Sequence, residues 1–431
     1  MGTRERLWIF ATALILLLLR QALGEALGAG LSDIFADGVP GFGTAPGVTV
    51  DSRLHPDSDP PPIRVDGYLV KPTVEQSVGY DDNVLGGAHR QGSWLSNTTG
   101  SLLIASGWSR DSFGLFVTGA NTRYFSLPNQ DRTDGTVVLG GSIDIGRDKL
   151  TLGLAHRSLH EDRADLDATA ADRPVGYRVD DVRVLYSAVF DRLTIMPGAD
   201  LSAWHYGDTT ELGRFASQSY RNRDVLSGSM TFRYEFAPLR NVVFVTRALN
   251  QHYREPQPGQ ASLNSTGYQV LGGIDYDGDT VWRARILVGA ESRQFTAPQY
   301  RPRTAMIAEG ELTWNPTGMT TLRANLTRSI EDAAQEGVSG FTYTEGKLRI
   351  DHELCRDVLL NASAGLRHAA YLQGGEQDGT MASAGMTWLV NRYARVSATY
   401  NLNATHGAGP LNNASTGFAR DIALVTVRLG L

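Results

Sequence analysis

His156-Arg157-Ser158 places a histidine and a serine on one face of an extended strand, the arrangement in which a base can take the proton of a hydroxyl nucleophile. The sequence assigns no third group to orient the base, and such a triplet arises easily in a chain of 431 residues. A polar histidine near a water boundary is the simpler reading. His160, His205, His252, His368 and His406 fall near the ends of strand-like segments in the same way. Acidic residues gather at Asp81-Asp82 and at Glu161, Asp162, Asp165, Asp167 and Asp172. Calcium could use such oxygens, but neither EF-hand nor nonapeptide spacing is present, and a solvated loop accounts for them. Cys355 is the one cysteine, so an intrachain disulfide is excluded, and with no CxxC pattern structural zinc goes too. The chain is therefore expected to be non-catalytic, with no metal and no cofactor.

Chemistry of another kind lies in charges that recur at every second residue. Arg283, Arg285, Glu291 and Arg293 alternate with Trp282, Ala284, Ile286 and Val288; Arg323 belongs to a similar segment. Tyr343, Glu345, Lys347, Arg349, Asp351 and Glu353 alternate with Thr342, Thr344, Leu348 and Ile350. A period of two is the signature of a strand with two different faces. Were the charged face to meet lipid, each Arg or Lys at mid-depth would cost about 2–4 kcal/mol, so in a membrane it must face a lumen. There the rows would either set the selectivity of a channel or knit a structural network.

The elements that carry these rows all read as strands. No segment after Tyr68 keeps a 3.6-residue apolar period, while alternation returns throughout, as in Tyr393 to Ala404. Short links and longer polar links take turns along the chain, eight of the first and nine of the second, joining 18 segments. That rhythm predicts an all-β fold, a single transmembrane antiparallel up-and-down β-barrel of about 18 strands over 65–431. Trp108, Phe190, Phe236, Tyr276, Trp282, Trp314, Trp388 and Tyr393 beside the short links, and Tyr80, Trp94, Tyr124, Tyr206, Tyr220, Tyr253, Phe295 and Phe341 beside the long ones, predict an aromatic girdle at each membrane boundary. With 40 Lys plus Arg against 46 Asp plus Glu and no basic run, nucleic acid is not an expected partner.

Ahead of the strands, residues 1–24 combine a basic start (Arg4, Arg6), a 13-residue apolar run and a small-residue end at Ala22-Leu23-Gly24. The run is too short to span a bilayer and fits a signal peptide, which implies export. Residues 25–64, rich in Pro and Gly with Pro60-Pro61-Pro62, read as a flexible or partly extended periplasmic leader, with a plug as the alternative role.

Gly79-Tyr80-Asp81-Asp82-Asn83-Val84, at the end of the first strand after a signal peptide and a Pro-rich leader, resembles the putative beta-barrel porin 2 family of outer-membrane proteins. The final alternation from Ala423 to Leu431 resembles the signal read by the barrel insertion machinery, although Leu431 stands where an aromatic residue is usual. The family resemblance implies a bacterial outer-membrane location among lipid and lipopolysaccharide, and a role in moving surface polysaccharide together with periplasmic export proteins. A porin-like channel for polysaccharide or sugar-bearing solutes is the expected function. The alternative is a non-conducting structural or glycan-binding surface barrel.

Overall fold

The computed structural model describes residues 39–42, 49, 50, 53, 55, 57–169, 171–256, 259–276, 278, 281–335, 337–409 and 417–431. The expected signal peptide lies outside the described residues. Eighteen long strands make the wall. They are β1 (Tyr68–Asp81), β2 (Ser93–Ser106), β3 (Ser112–Tyr124), β4 (Arg132–Ile145), β5 (Asp148–His160) and β6 (Gly176–Phe190). Next come β7 (Leu193–Tyr206), β8 (Arg223–Ala237), β9 (Arg240–Tyr253), β10 (Ser265–Tyr276), β11 (Trp282–Phe295) and β12 (Arg303–Thr317). The last are β13 (Thr320–Glu331), β14 (Phe341–Cys355), β15 (Val358–Tyr371), β16 (Glu376–Leu389), β17 (Ala394–Ala408) and β18 (Phe418–Gly430). A short strand, Ile63–Val65, folds back on the start of β1.

Each strand pairs antiparallel with its chain neighbour, and β18 returns to β1 in register from Thr73 opposite Gly430 to Asp81 opposite Ile422. The sheet is a closed ring with no free edge, so every ladder finds its hydrogen bonds within the wall. Short and long connections do alternate, although the long link expected near 373–379 is the four residues 372–375, because the next strand already starts at Glu376.

Burial follows the period of two. In β1, Leu69, Lys71, Thr73, Ser77 and Asp81 are buried, while Val74, Val78 and Tyr80 are exposed. Exposed Leu152, Leu154, Val182, Val184, Val242, Phe244, Ile286 and Val288 continue the apolar outer surface, with polar and charged residues inside. A water-soluble sandwich would show the opposite arrangement.

The girdle is present at the short-turn end, where Trp108, Phe190, Phe236, Trp282, Trp388 and Tyr393 are exposed on the outside. At the long-loop end the expectation needs correction. Tyr80 and Trp94 face outward, but Tyr124, Tyr206, Tyr253 and Phe341 are buried on the inner face. Tyr124 lies two positions along its strand from buried Thr122, and Tyr253 two from buried Gln251, so strand parity, not proximity to a loop, decides where a ring points.

Candidate functional site

The lumen is where the charged rows meet. All eleven expected residues stand on the inner face, and most are engaged with one another. Asp351 accepts from Arg323 Nη2 at 2.8 Å across the strand pair and from Arg349 Nε at 3.0 Å along β14. Glu291, almost fully buried, accepts from Gln269 at 3.0 Å, while Arg293 Nη1 donates to Asp332 at 2.7 Å. Tyr343 donates its hydroxyl to Glu345, which lies opposite Arg367 in register. Arg285 stands opposite Glu311, Arg283 opposite Thr313, and Lys347 between Asn325 and Gly365. Glu353 is met from inside the barrel by Arg53 and by His55, whose Nε2 lies 3.6 Å away.

The acidic loop between β5 and β6 is not a solvated surface loop. It folds into the lumen and reaches the opposite wall. Glu161 is paired with Arg221, and Asp162 takes a 2.8 Å hydrogen bond from Arg420 Nη1 on β18. Arg367 of β15 donates to the Ala164 carbonyl at 2.8 Å and faces Asp165 at 3.8 Å. The Asp167 amide donates to Gln377 of β16 at 3.1 Å, and its carboxylate receives the Ala334 amide from the β13–β14 loop. Between these polar fixings Leu166 packs with Ala333, Val338, Phe341 and Tyr371. The loop is thus a bar across the long-loop half of the barrel.

Burial raises carboxyl pKa values unless cations answer it. For Asp162 the burial is outweighed by Arg420 and Arg132, which hold the carboxyl down at about 2. For Asp165 burial dominates, reinforced by Asp162, and the carboxyl sits well above its usual range despite Arg367. Asp167 is pushed up to about 7 by burial, against the pull of the Ala334 amide and Arg221.

The six-residue motif joins this bar to the barrel seam. Gly79 lies so close to β18 that a Cβ would stand 2.0 Å from the Ala423 carbonyl oxygen. Tyr80 turns outward onto Trp94, edge to face at 5.6 Å. Asp81, fully buried, binds Arg420 Nη2 at 2.7 Å, and the other arm of that guanidinium holds Asp162. Asp82 accepts from the Asp421 amide at 2.7 Å. The Asn83 side chain donates to the Gly87 and Ala419 carbonyls, both at 2.9 Å, and Val84 fills a cluster with Leu95 and Tyr124. Sequence reading placed Arg221 on the interior face but missed Arg420 and the inward course of the loop. The signal was present: a solvated loop has no use for Leu166 and four nearby alanines, Ala164, Ala168, Ala170 and Ala171.

An aromatic stack on the inner face of β6 and β7 packs against Ala171 and Val175 at the end of the loop. Tyr177, Trp204 and Tyr206 stack with centroids 5.6–6.4 Å apart, and the Arg221 guanidinium lies 4.0 Å over Tyr206 and that of Arg223 4.7 Å over Trp204. His156 and Ser158, by contrast, are on the outer face, away from the lumen. His156 Nδ1 is 2.6 Å from Asp180, and no hydrogen bond joins it to Ser158 among the described residues. Nor do the described residues hold a cluster of three or more His, Cys, Asp or Glu suited to a metal ion.

A family model described as putative beta-barrel porin 2 matches residues 55–430. Among solved structures, the outer membrane protein opdK from Pseudomonas aeruginosa shares 13% identity, covering 84% of this chain and 99% of that one with a TM-score of 0.42. OccAB3 of Acinetobacter baumannii shares 9% over 85% of this chain and 100% of its own, TM-score 0.44. The siderophore receptor PirA of the same species shares 6% over 84% and 80%, TM-score 0.46. No curated relative matches the chain.

Proposed function

The chain belongs to the putative beta-barrel porin 2 family, and from that premise we propose that it is a passive, non-catalytic outer-membrane channel for sugar-bearing solutes, in particular surface polysaccharide. The observation that carries this reading is the closed ring of strands with apolar side chains outside and charged rows within, crossed by the β5–β6 loop, which narrows the lumen without joining any strand ladder. Arginine forks recognise carboxylates through paired hydrogen bonds, which suits anionic sugars. Because Asp351, Glu309 and Glu311 are interleaved with Arg323, Arg247 and Arg285, contact with cargo is weak and repeated, the condition for letting it leave. The long loops face outside the cell and the short turns face the periplasm, where export proteins and the barrel insertion machinery would meet the chain; lipopolysaccharide would surround its outer rim.

The deciding experiment pairs bilayer recordings of the purified barrel with a deletion strain. Conductance, together with reduced surface glycan and periplasmic accumulation of precursor, is the expected result. Slowed uptake of small sugars with normal surface glycan would make it a general solute channel. Normal glycan and normal uptake would overturn both transport readings and leave the structural or glycan-binding barrel.

A further inference from the structure

We propose, resting on the channel reading above, that the described leader residues 39–42, 49, 50, 53, 55 and 57–62 act as the channel's own plug, and that the short-turn half of the wall contains a seat for them. The seat is visible on β4 and β5. There Gly140 and Gly153 stand opposite each other in register on the inner face. A Cβ on Gly140 would lie 1.9 Å from the Pro40 carbonyl oxygen, and one on Gly153 would lie 2.4 Å from the Phe42 ring. The wall therefore has no side chains where the leader's turn presses in. That turn is closed by the Phe42 amide donating to the Val39 carbonyl at 3.1 Å, with Gly41 at φ +88°.

Val39 and Phe42 are 1% and 3% exposed, packed on Leu103, Phe116, Val138 and Ala155. These four are inner-face residues. In an open, water-filled lumen they would be an exposed apolar patch among charged rows, and the leader is what covers them. The Arg183 guanidinium lies 5.2 Å from the Phe42 ring centroid and borders the seat.

A second fixing lies on the far wall. Val50 is buried with Leu359 and Leu389, and its amide donates to Thr321 Oγ1 at 2.9 Å. Arg53 donates to the Gly318 carbonyl and pairs with Glu353. A third is on β17, where Arg395 holds Asp59. In a ring of eighteen strands β5 and β14 stand opposite each other, so the described leader residues are fastened to both sides of the short-turn half of the lumen. The expected flexible leader is, where described, fastened to the inside of the wall. Its contacts are non-covalent and local, so it can be displaced without disturbing a strand ladder.

Two variants attack the contact from opposite sides. Gly140→Val with Gly153→Val fills the seat using residues suited to strands, and Phe42→Asp spoils the plug while leaving the wall untouched. Retention of the heat-modifiable gel species certifies the barrel in each. Tryptic cleavage at Arg53 reports whether the leader is seated, and single-channel conductance reports whether the lumen is open. The expected result is a severalfold rise in both readouts for both variants. Unchanged cleavage in folded variants would overturn the seat. Faster cleavage with conductance equal to that of a conducting parent would overturn the plug and leave the channel reading standing. Silence from every variant with its leader released would overturn the channel reading and the plug together.

Discussion

At the scale of single residues, the interior is governed by whether a buried charge has its partner. Arg420 is 2% exposed and Asp81 fully buried, so removing the carboxylate leaves a guanidinium with one anion, Asp162, instead of two. Breaking one partner out of a buried ion pair typically costs about 3–5 kcal/mol, and Asp81→Ala is expected to lower the temperature of the gel-mobility transition accordingly. Arg90 offers the control. It is half exposed beside Asp82 and Asp421, and Arg90→Ala should change stability by less than about 1 kcal/mol. A larger loss for Arg90 than for Asp81 would contradict this ranking. The same accounting explains why Asp81, expected in a solvated loop, is in fact interior: Asp81 and Asn83 are fully buried and satisfied by β18 and the first long loop.

At the scale of elements, the carboxyls of the lumen bar lead to the prediction that its docking depends on pH. Asp167 has its carboxyl pushed above the ordinary 3.8 to about 7, so docking is favoured in full below about 4 and loses that contribution as pH rises through about 7. Asp165, raised in the same direction, adds to the loss at higher pH. Asp162 works oppositely: held down at about 2, it supports docking above about 4 and fails only as pH falls through 2. Conductance should therefore increase as pH is raised through neutrality, and Asp167→Asn, which cannot ionise, should flatten that increase. A parent whose conductance is level from mildly acidic to mildly alkaline pH would remove this role from the bar. Strand positions, the even count and the inward set from Arg283 to Glu353 were legible in the sequence because a period of two is imposed by the backbone itself. The course of the loop was not. Whether an acidic segment is solvated or pulled inward depends on arginines such as Arg221, Arg367 and Arg420, which are distant in sequence and assembled only by closure of the ring.

At the scale of the whole molecule, orientation in the membrane can be read with single cysteines in a Cys355→Ser background, since the native thiol is exposed beside a short turn. Leu212, 94% exposed in the link between the short strands Thr209–Glu211 and Arg214–Ala216, belongs to the long-loop end. Leu212→Cys should react with an impermeant reagent on intact cells, and Asn391→Cys only after the outer membrane is opened. Equal labelling of the two would reverse or abolish the proposed topology. Closure of the seam also sets an order in time. The Arg420 that clamps Asp162 lies on β18, the last of the eighteen wall strands in chain order, and it is positioned by Asp81 on β1, the first of them. Until those two strands have met, the bar has lost its anchor on that side. Closing the ring therefore does two things at once: the meeting of β1 and β18 that joins the wall also assembles the ion triad and gives the bar its fixing at the seam.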